Sequence, residues 1–213
     1  MARSRDISKV LSSNSTLATD AEVAATYQTK TTAGLTLLTP STIANTSGTA
    51  SIGTNGTVSF SAASTVSLNN VFNSTYTNYK VIFNLSLSAA TYIGTRFRVS
   101  GSDNSSSQYV YSGPALTSGN GVENAWSNGL TTSFLEMVRV SVDTTGGTFD
   151  FQDPFETKNT LVTGLSIWNR SSTLINSLSY FGVLKNSTSY DGFTFFPNTG
   201  TMTGTVSVYG YNK

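Results

Sequence analysis

The chain has 213 residues, with 12 Lys and Arg against 11 Asp and Glu, no His and no Cys. A net charge of +1 without a basic cluster argues against a nucleic-acid partner, because proteins that bind nucleic acids carry a basic patch. The missing His and Cys exclude Ser-His and Cys-His nucleophile systems, the commonest metal ligand, and disulfide bonds.

Charged residues make up only 11% of the chain, yet it holds 12 Phe, 10 Tyr and 2 Trp. Disordered chains usually combine high charge with few aromatic residues, so this composition predicts a folded protein. Its polar surface must be built from Ser, Thr and Asn, which suit turns and exposed strand faces. No apolar run approaches the roughly 18 residues that cross a membrane, and the first residues resemble no signal peptide. We therefore expect neither membrane insertion nor a secretory route.

The first 30 residues differ in charge from the adjoining segment, since they carry charges of both signs and residues 31–79 carry none. Within this leader, Thr19 and Glu22 have the spacing of a capping box, and Ala21–Ala25 favours a helix. The helix would have only about nine residues, which is too short to be stable alone. It either folds back on its own β domain or docks elsewhere. The polar leader favours docking or oligomerisation, with Thr19, Glu22 and Tyr27 in the attachment segment.

Residues 31–64 are rich in Ser, Thr and Gly, and we predict either a linker or the first strands of the main domain. Residues 65–213 show the alternation of half-buried strands. The clearest segment, NYKVIFNLSLS, predicts a core-facing set of Tyr79, Val81, Phe83, Leu85 and Leu87. The segment TRFRVSG predicts that Phe97 and Val99 point inward while Arg96 and Arg98 point outward.

Three further segments alternate in the same way. One places Val138, Val140 and Val142 on a common face, and another places Phe149 and Phe151 on a common face. In the third, Leu165 and Ile167 lie on the face opposite to that of Ser166 and Trp168. Turn segments such as SGSDNSSS and TTGG separate these strands, and no helical period interrupts them. The predicted fold is all-β, an antiparallel β-sandwich of jelly-roll type (residues 65–213) with a short N-terminal helical segment.

The densest acidic segment is DFQDPFE, with Asp150, Asp153 and Glu156. Such a cluster suits a carboxylate pair for glycoside hydrolysis or a Ca²⁺ loop. Pro154 instead predicts a turn, in which acids are usually solvated. We therefore predict no catalytic residue, no metal ligand and no cofactor.

Aromatic residues offer a candidate sugar-binding surface. Trp126 lies in the loop-like segment GNGVENAWSNG, and Tyr109 and Tyr111 share one face of QYVYSG. Rings of this kind stack on the apolar face of a sugar. Ordinary core packing is the alternative interpretation, and it is the commoner role of such rings.

Three segments point to a family. The leader SRDISKVLSSNSTLATDAEVAATYQTK, the segment VFNSTYTNYKVIFNLSLSAA and the ending GTVSVYGYNK resemble parts of short virion proteins of tailed bacteriophages, particularly those of marine cyanobacteria. The resemblance implies a non-enzymatic homotrimer appended to the virion as a fibre, knob or capsid decoration. The N-terminus would attach to capsid or tail proteins, and the β domain would face solvent or a host glycan. A monomeric carbohydrate-binding module and a polysaccharide depolymerase are the alternatives.

Overall fold

A computed structural model describes residues 34–118, 121–140, 144–169 and 171–212, with only the backbone described for 122–132 and 138–140. In chain order, the strands are β1 (Leu35–Leu38), β2 (Thr42–Thr46), β3 (Thr49–Ile52), β4 (Val58–Ala63), β5 (Thr65–Asn69), β6 (Asn78–Leu87), β7 (Thr91–Val99), β8 (Ser102–Asp103), β9 (Tyr109–Thr117), β10 (Gly121–Thr132), β11 (Leu135–Val140), β12 (Thr145–Gln152), β13 (Thr160–Asn169), β14 (Ile175–Leu184), β15 (Gly192–Pro197) and β16 (Met202–Tyr211).

The strands form two antiparallel sheets within one compact unit, Leu35–Tyr211. The larger, ten-stranded sheet has the order β10-β9-β14-β13-β12-β6-β16-β4-β3, with β1 also paired to β16. The smaller, six-stranded sheet has the order β11-β7-β15-β5-β2, with β8 paired to β7. These described ranges contain no helix, and so none long and apolar enough to span a membrane. The predicted all-β antiparallel fold is confirmed.

A single aromatic core joins the two sheets, as in a β-sandwich. The ring of Phe83 in β6 lies 6.1 Å from that of Phe195 in β15. Phe151 in β12 lies 5.2 Å from Phe97 in β7 and 5.4 Å from Phe193 in β15, in both cases nearly edge-to-face. Such tilted contacts are favoured by the ring quadrupoles. They hold the inner faces of the sheets together.

Strand β6 has the predicted register. Its core-facing residues are at most 4% exposed, and Ile82 between them is 40% exposed; the core-facing set is Tyr79, Val81, Phe83, Leu85 and Leu87. Phe149 and Phe151 are buried as well. The segment 31–64 contains β1–β4, and these strands pair within the two sheets, so it supplies first strands rather than a linker.

Strand β7 departs from the prediction at its end. Phe97 is buried, but Val99 is 38% exposed because the strand stops there at a turn through Ser100 and Gly101, both with positive φ. Arg98, predicted to point outward into solvent, is only 8% exposed. The turn leads into β8, which folds Asp103 over the guanidinium of Arg98.

Strand β13 alternates as predicted, but its buried face is the one that carries the tryptophan. Ser166 and Trp168 are 4% and 7% exposed, whereas Leu165 and Ile167 are 61% and 49% exposed. The set Val138, Val140 and Val142, predicted to share one face, lies outside the described side chains, and the predicted N-terminal helix lies outside the described residues.

Candidate functional site

A polar cleft lies on the outer face of the larger sheet. It has a volume of about 270 Å³ and is lined by Asn78, Asp150, Gln152, Thr163 and Tyr211. Strand pairing brings these residues together, because Gln152 lies opposite Asn78 and Asp150 lies opposite Thr163. Residues two apart on a strand share a face, so Asp150 and Gln152 of β12 point to the same side of the sheet. The cleft crosses β6, β12 and β13 and ends at Tyr211 in β16.

Asp150 is the centre of the cleft's electrostatics. Lys80 Nζ lies 2.9 Å from Asp150 Oδ1 and 3.0 Å from Oδ2. The hydroxyl of Tyr211 donates a hydrogen bond to Oδ1. Lys80 Nζ also lies 5.9 Å from the centre of the Tyr211 ring. The three side chains therefore fix one another in position.

The protonation states follow from these contacts. Burial lowers the pKa of Lys80, but the hydrogen bonds to Asp150 and Tyr211 and the charge of Asp150 outweigh it, and the net pKa is raised. Burial and the bond to Asp150 raise the pKa of Tyr211. At neutral pH, Lys80 is thus a cation and Tyr211 a neutral hydrogen-bond donor.

Three polar side chains of the cleft are open to a ligand. Asn78, Gln152 and Thr163 make no side-chain hydrogen bond to any other residue within the described ranges. Amides offer both donors and acceptors, and a hydroxyl offers one donor and two acceptor positions. The cleft therefore combines a fixed ion pair with free hydrogen-bonding groups.

An apolar surface adjoins the cleft on the same sheet. On β13, β14 and β9, outward-pointing side chains are 44–61% exposed; they are Leu116, Leu161, Leu165, Ile167, Ile175 and Phe181. Pairing of Thr163 with Phe181, and of Ser177 with both Ile167 and Leu116, puts them on one side. We name this set of six the apolar face. No charged residue occupies an outward position on these three strands in the described part of the chain.

The aromatic residues predicted for sugar binding lie elsewhere. Tyr109 is 0% exposed, and its hydroxyl donates to the Asn104 carbonyl at 2.9 Å and accepts from the Phe97 amide at 3.1 Å. Tyr111 is 6% exposed, and its hydroxyl donates to Glu136 at 3.1 Å. The prediction that these two rings form a surface is wrong, because the shared face of β9 is its core face.

Trp126 lies in strand β10 opposite Gly113, not in a loop. Its side chain is outside the described ones. The attachment residues Thr19, Glu22 and Tyr27 fall in the leader, which is also outside the described residues.

The acidic segment divides between two environments. Asp150 belongs to the cleft, whereas Asp153 lies in the predicted turn and pairs with Lys158 at 2.9 Å. Glu156 is exposed. Within the described ranges, no group of three or more acidic, His or Cys side chains could hold a metal ion.

No family model matches the chain, and no curated protein matches it. Among solved structures, a crystal structure of basic winged bean lectin with Tn-antigen is similar over 82% of this chain and 96% of the lectin chain, at 8% identity. The TM-score is 0.28, which is too low to carry an argument about fold or function.

Proposed function

We propose that the chain is a non-enzymatic structural protein of a bacteriophage virion, appended to the capsid or tail as a fibre, knob or decoration. Residues 1–30 would attach a homotrimer to other virion proteins. The β domain would be displayed, where it stabilises the particle or contacts the host. The observation that carries the proposal is the apolar face.

The apolar face is unusual for a protein that works alone. Leu165 is 61% exposed and Phe181 is 53% exposed, and they lie at diagonal positions on the outward face of the adjacent strands β13 and β14. Monomeric proteins rarely expose large contiguous apolar patches, and such patches commonly mark interfaces. Covering each apolar Å² is worth about 25 cal/mol. A subunit of an assembly gains this free energy, whereas a monomer leaves the patch in water.

A further copy of the chain is the partner that we propose for this face. Because the outward positions of β9, β13 and β14 carry no charge in the described part of the chain, copies can meet there without like-charge repulsion. In a cyclic oligomer, the same surfaces of every subunit meet around the axis. The number of three subunits comes from the resemblance to phage virion proteins alone.

We also propose that the sandwich is of jelly-roll type. The supporting observation is the strand order β4-β16-β6-β12 in one sheet and β5-β15-β7-β11 in the other. Along the chain, these eight strands switch from one sheet to the other at every step except from β7 to β11, which pair with each other in the smaller sheet, and this is the pattern of a double-sheet jelly roll. The hairpins β9–β10 and β13–β14 are then insertions that extend the larger sheet, and they carry the apolar face.

A monomeric carbohydrate-binding module is the second candidate function. The polar cleft favours it, because amide, carboxylate and hydroxyl groups meet there beside an aromatic ring. This candidate leaves the apolar face without a role. Turnover of a cell-surface polysaccharide by the purified protein would favour a depolymerase instead.

The proposal is tested by locating the protein on the particle. Cryo-electron microscopy of the virion should show density for residues 1–30 against a capsid or tail protein and the β domain outside. A matched particle lacking the protein should lose this density. Density with the β domain inward and the N-terminus free would reverse the assigned roles, and absence of the protein from the particle would end the proposal.

A further inference from the structure

We propose that the polar cleft binds one neutral sugar ring of a glycan, with Asn78, Gln152 and Asp150 as its hydrogen-bonding groups and Tyr211 as its aromatic wall. The inference goes beyond the proposed assembly. It is argued from the cleft alone and holds for a virion protein and for a separate binding module.

The pair of amides forms the first part of the site. Asn78 and Gln152 lie directly opposite each other on β6 and β12. The Cβ atoms of such a pair are about 5 Å apart, so both amides reach the same ligand. Neither side chain has a hydrogen-bond partner in the described part of the chain. Adjacent sugar hydroxyls each need a donor and an acceptor, and two neighbouring amides supply both.

The ion pair sets the charge preference. Lys80 Nζ contacts both oxygens of Asp150, at 2.9 and 3.0 Å. An anionic ligand would be repelled by Asp150, and a cationic ligand would be repelled by Lys80. Because the two charges neutralise each other, an uncharged polyhydroxyl ligand fits best. The carboxylate still has acceptor capacity for a ligand hydroxyl, since two oxygens offer about four lone-pair positions.

Tyr211 supplies the apolar contact. Its hydroxyl is committed to Asp150, which orients the ring at the edge of the cleft. Aromatic rings commonly pack on the apolar side of an amphipathic ligand while polar groups bind the other side. With a volume of about 270 Å³, the cleft is slightly smaller than drug-sized pockets of roughly 300–1,000 Å³. That size suits one sugar ring.

A purely structural role accounts for only part of the cluster. The Lys80–Asp150 pair joins β6 to β12 and would stabilise the sheet without any ligand. This structural role does not explain the side chains of Asn78, Gln152 and Thr163, which make no hydrogen bond within the described ranges. These three groups, on three adjacent strands, distinguish a binding site from a cross-strand ion pair.

The test is saturation-transfer NMR on the full chain with methyl glycosides of glucose, galactose, mannose and N-acetylglucosamine, each at about 10 mM, followed by titration of any that binds. At least one probe should receive saturation. Asn78→Ala and Gln152→Ala should each weaken its binding by roughly tenfold, which is the loss expected for about one hydrogen bond.

Asn84→Ala is the matched control, because Asn84 is an exposed asparagine on the same face of β6 but away from the cleft. It should leave binding unchanged. Melting curves of all three variants exclude unfolding as the cause of a loss. The inference is overturned if no neutral probe binds, if only charged sugars such as sialic acid or glucosamine bind, or if Asn84→Ala weakens binding as much as the cleft variants. None of these results bears on the oligomeric state, so failure here is distinguishable from failure of the proposed function.

Discussion

Arg98 Nη1 donates to Thr194 Oγ1 at 2.8 Å on the side of the smaller sheet that faces away from the core. The same nitrogen lies 3.0 Å from Ser67 Oγ and forms an ion pair with Asp103. The guanidinium in β7 thus contacts side chains of β5, β15 and β8. Asp103 also accepts a hydrogen bond from Thr194 at 2.6 Å, so the network is closed.

Arg98→Ala should lower the free energy of unfolding by about 3 kcal/mol, because it leaves Asp103, Thr194 and Ser67 without their shared donor. Removing one partner of a buried ion pair typically costs about 3–5 kcal/mol. We expect a value at the low end of this range because the Asp103 side chain is 26% exposed. Urea denaturation measures it. Arg96→Ala is the control on the same face of β7, and its loss should be smaller, about 1–2 kcal/mol, because Arg96 makes one hydrogen bond, to the Ser133 carbonyl, and a cation–π contact with the Phe196 ring. Equal losses in the two variants would contradict the role of the network.

Loss of the hydroxyl should have different effects on protein stability at two buried tyrosines. The hydroxyl of Tyr180 has no hydrogen-bond partner among the described residues, so Tyr180→Phe should raise stability or leave it unchanged. The hydroxyl of Tyr79 donates to the Asn73 carbonyl at 2.7 Å and accepts from the Asn73 amide at 2.8 Å. Tyr79→Phe should therefore cost about 1–2 kcal/mol. Chemical denaturation of both variants decides the point, and a larger loss for Tyr180→Phe would contradict it.

Stability should fall at alkaline pH. Burial raises the pKa values of Tyr79, Tyr109 and Tyr180 above the ordinary 10.0, so their neutral form is favoured in the folded state. Above pH 10 the unfolded chain loses these protons first, and the folded state loses stability. The pKa of Lys80 is also raised from 10.5, so its contribution is present below that pH and is lost as pH rises through the folded value.

The midpoint of urea unfolding, followed from neutral pH to beyond pH 10, measures this fall. The decline should be shallower in Tyr180→Phe, which removes one of the buried phenols. A midpoint that stays constant through this range would contradict the assignment.

Removal of residues 1–30 should leave the melting temperature within about 5 °C of that of the full chain. The reason is that the first strand of the compact unit begins at Leu35. Differential scanning calorimetry of residues 31–213 measures the difference. A much larger drop would show that the leader belongs to the core of the β domain.

The fold could be predicted from the sequence where the signal is local. Alternation within β6 identifies its buried residues from Tyr79 to Leu87, because successive side chains of one strand point to opposite faces. Alternation does not say which face is buried where both faces of a strand carry apolar or aromatic residues, as in β9 and β13. Tyr109 and Tyr111 share a face as predicted, but it faces the core, and Leu165 and Ile167 share the face that does not.

The cleft could not be predicted for a different reason. Lys80 and Asp150 are 70 positions apart in sequence, and they meet only because β6 pairs with β12 in one register. A shift by one residue would send every side chain of the strand to the other face. Registers between distant strands leave no local trace in a single sequence. The burial of Arg98 likewise depends on Ser67 and Thr194 from other strands.

The central claim is that further copies of the chain cover the apolar face. It predicts that charged residues introduced on that face weaken the contact between subunits. Replacing Leu165 and Phe181 together by Lys should separate the subunits without unfolding them, because both side chains already lie in water in the single chain. Thr205→Lys is the control, since Thr205 is exposed on the outer face of β16, away from the apolar face. The control should leave the assembly intact.

The most direct measurement is the mass of the full chain in solution, by light scattering after size exclusion. We expect a trimer, with three times the 22.6 kDa of the single chain, and we expect the Leu165→Lys, Phe181→Lys variant to be a folded monomer. A wild-type monomer at all concentrations, or a trimer that the double variant leaves intact, would contradict the account.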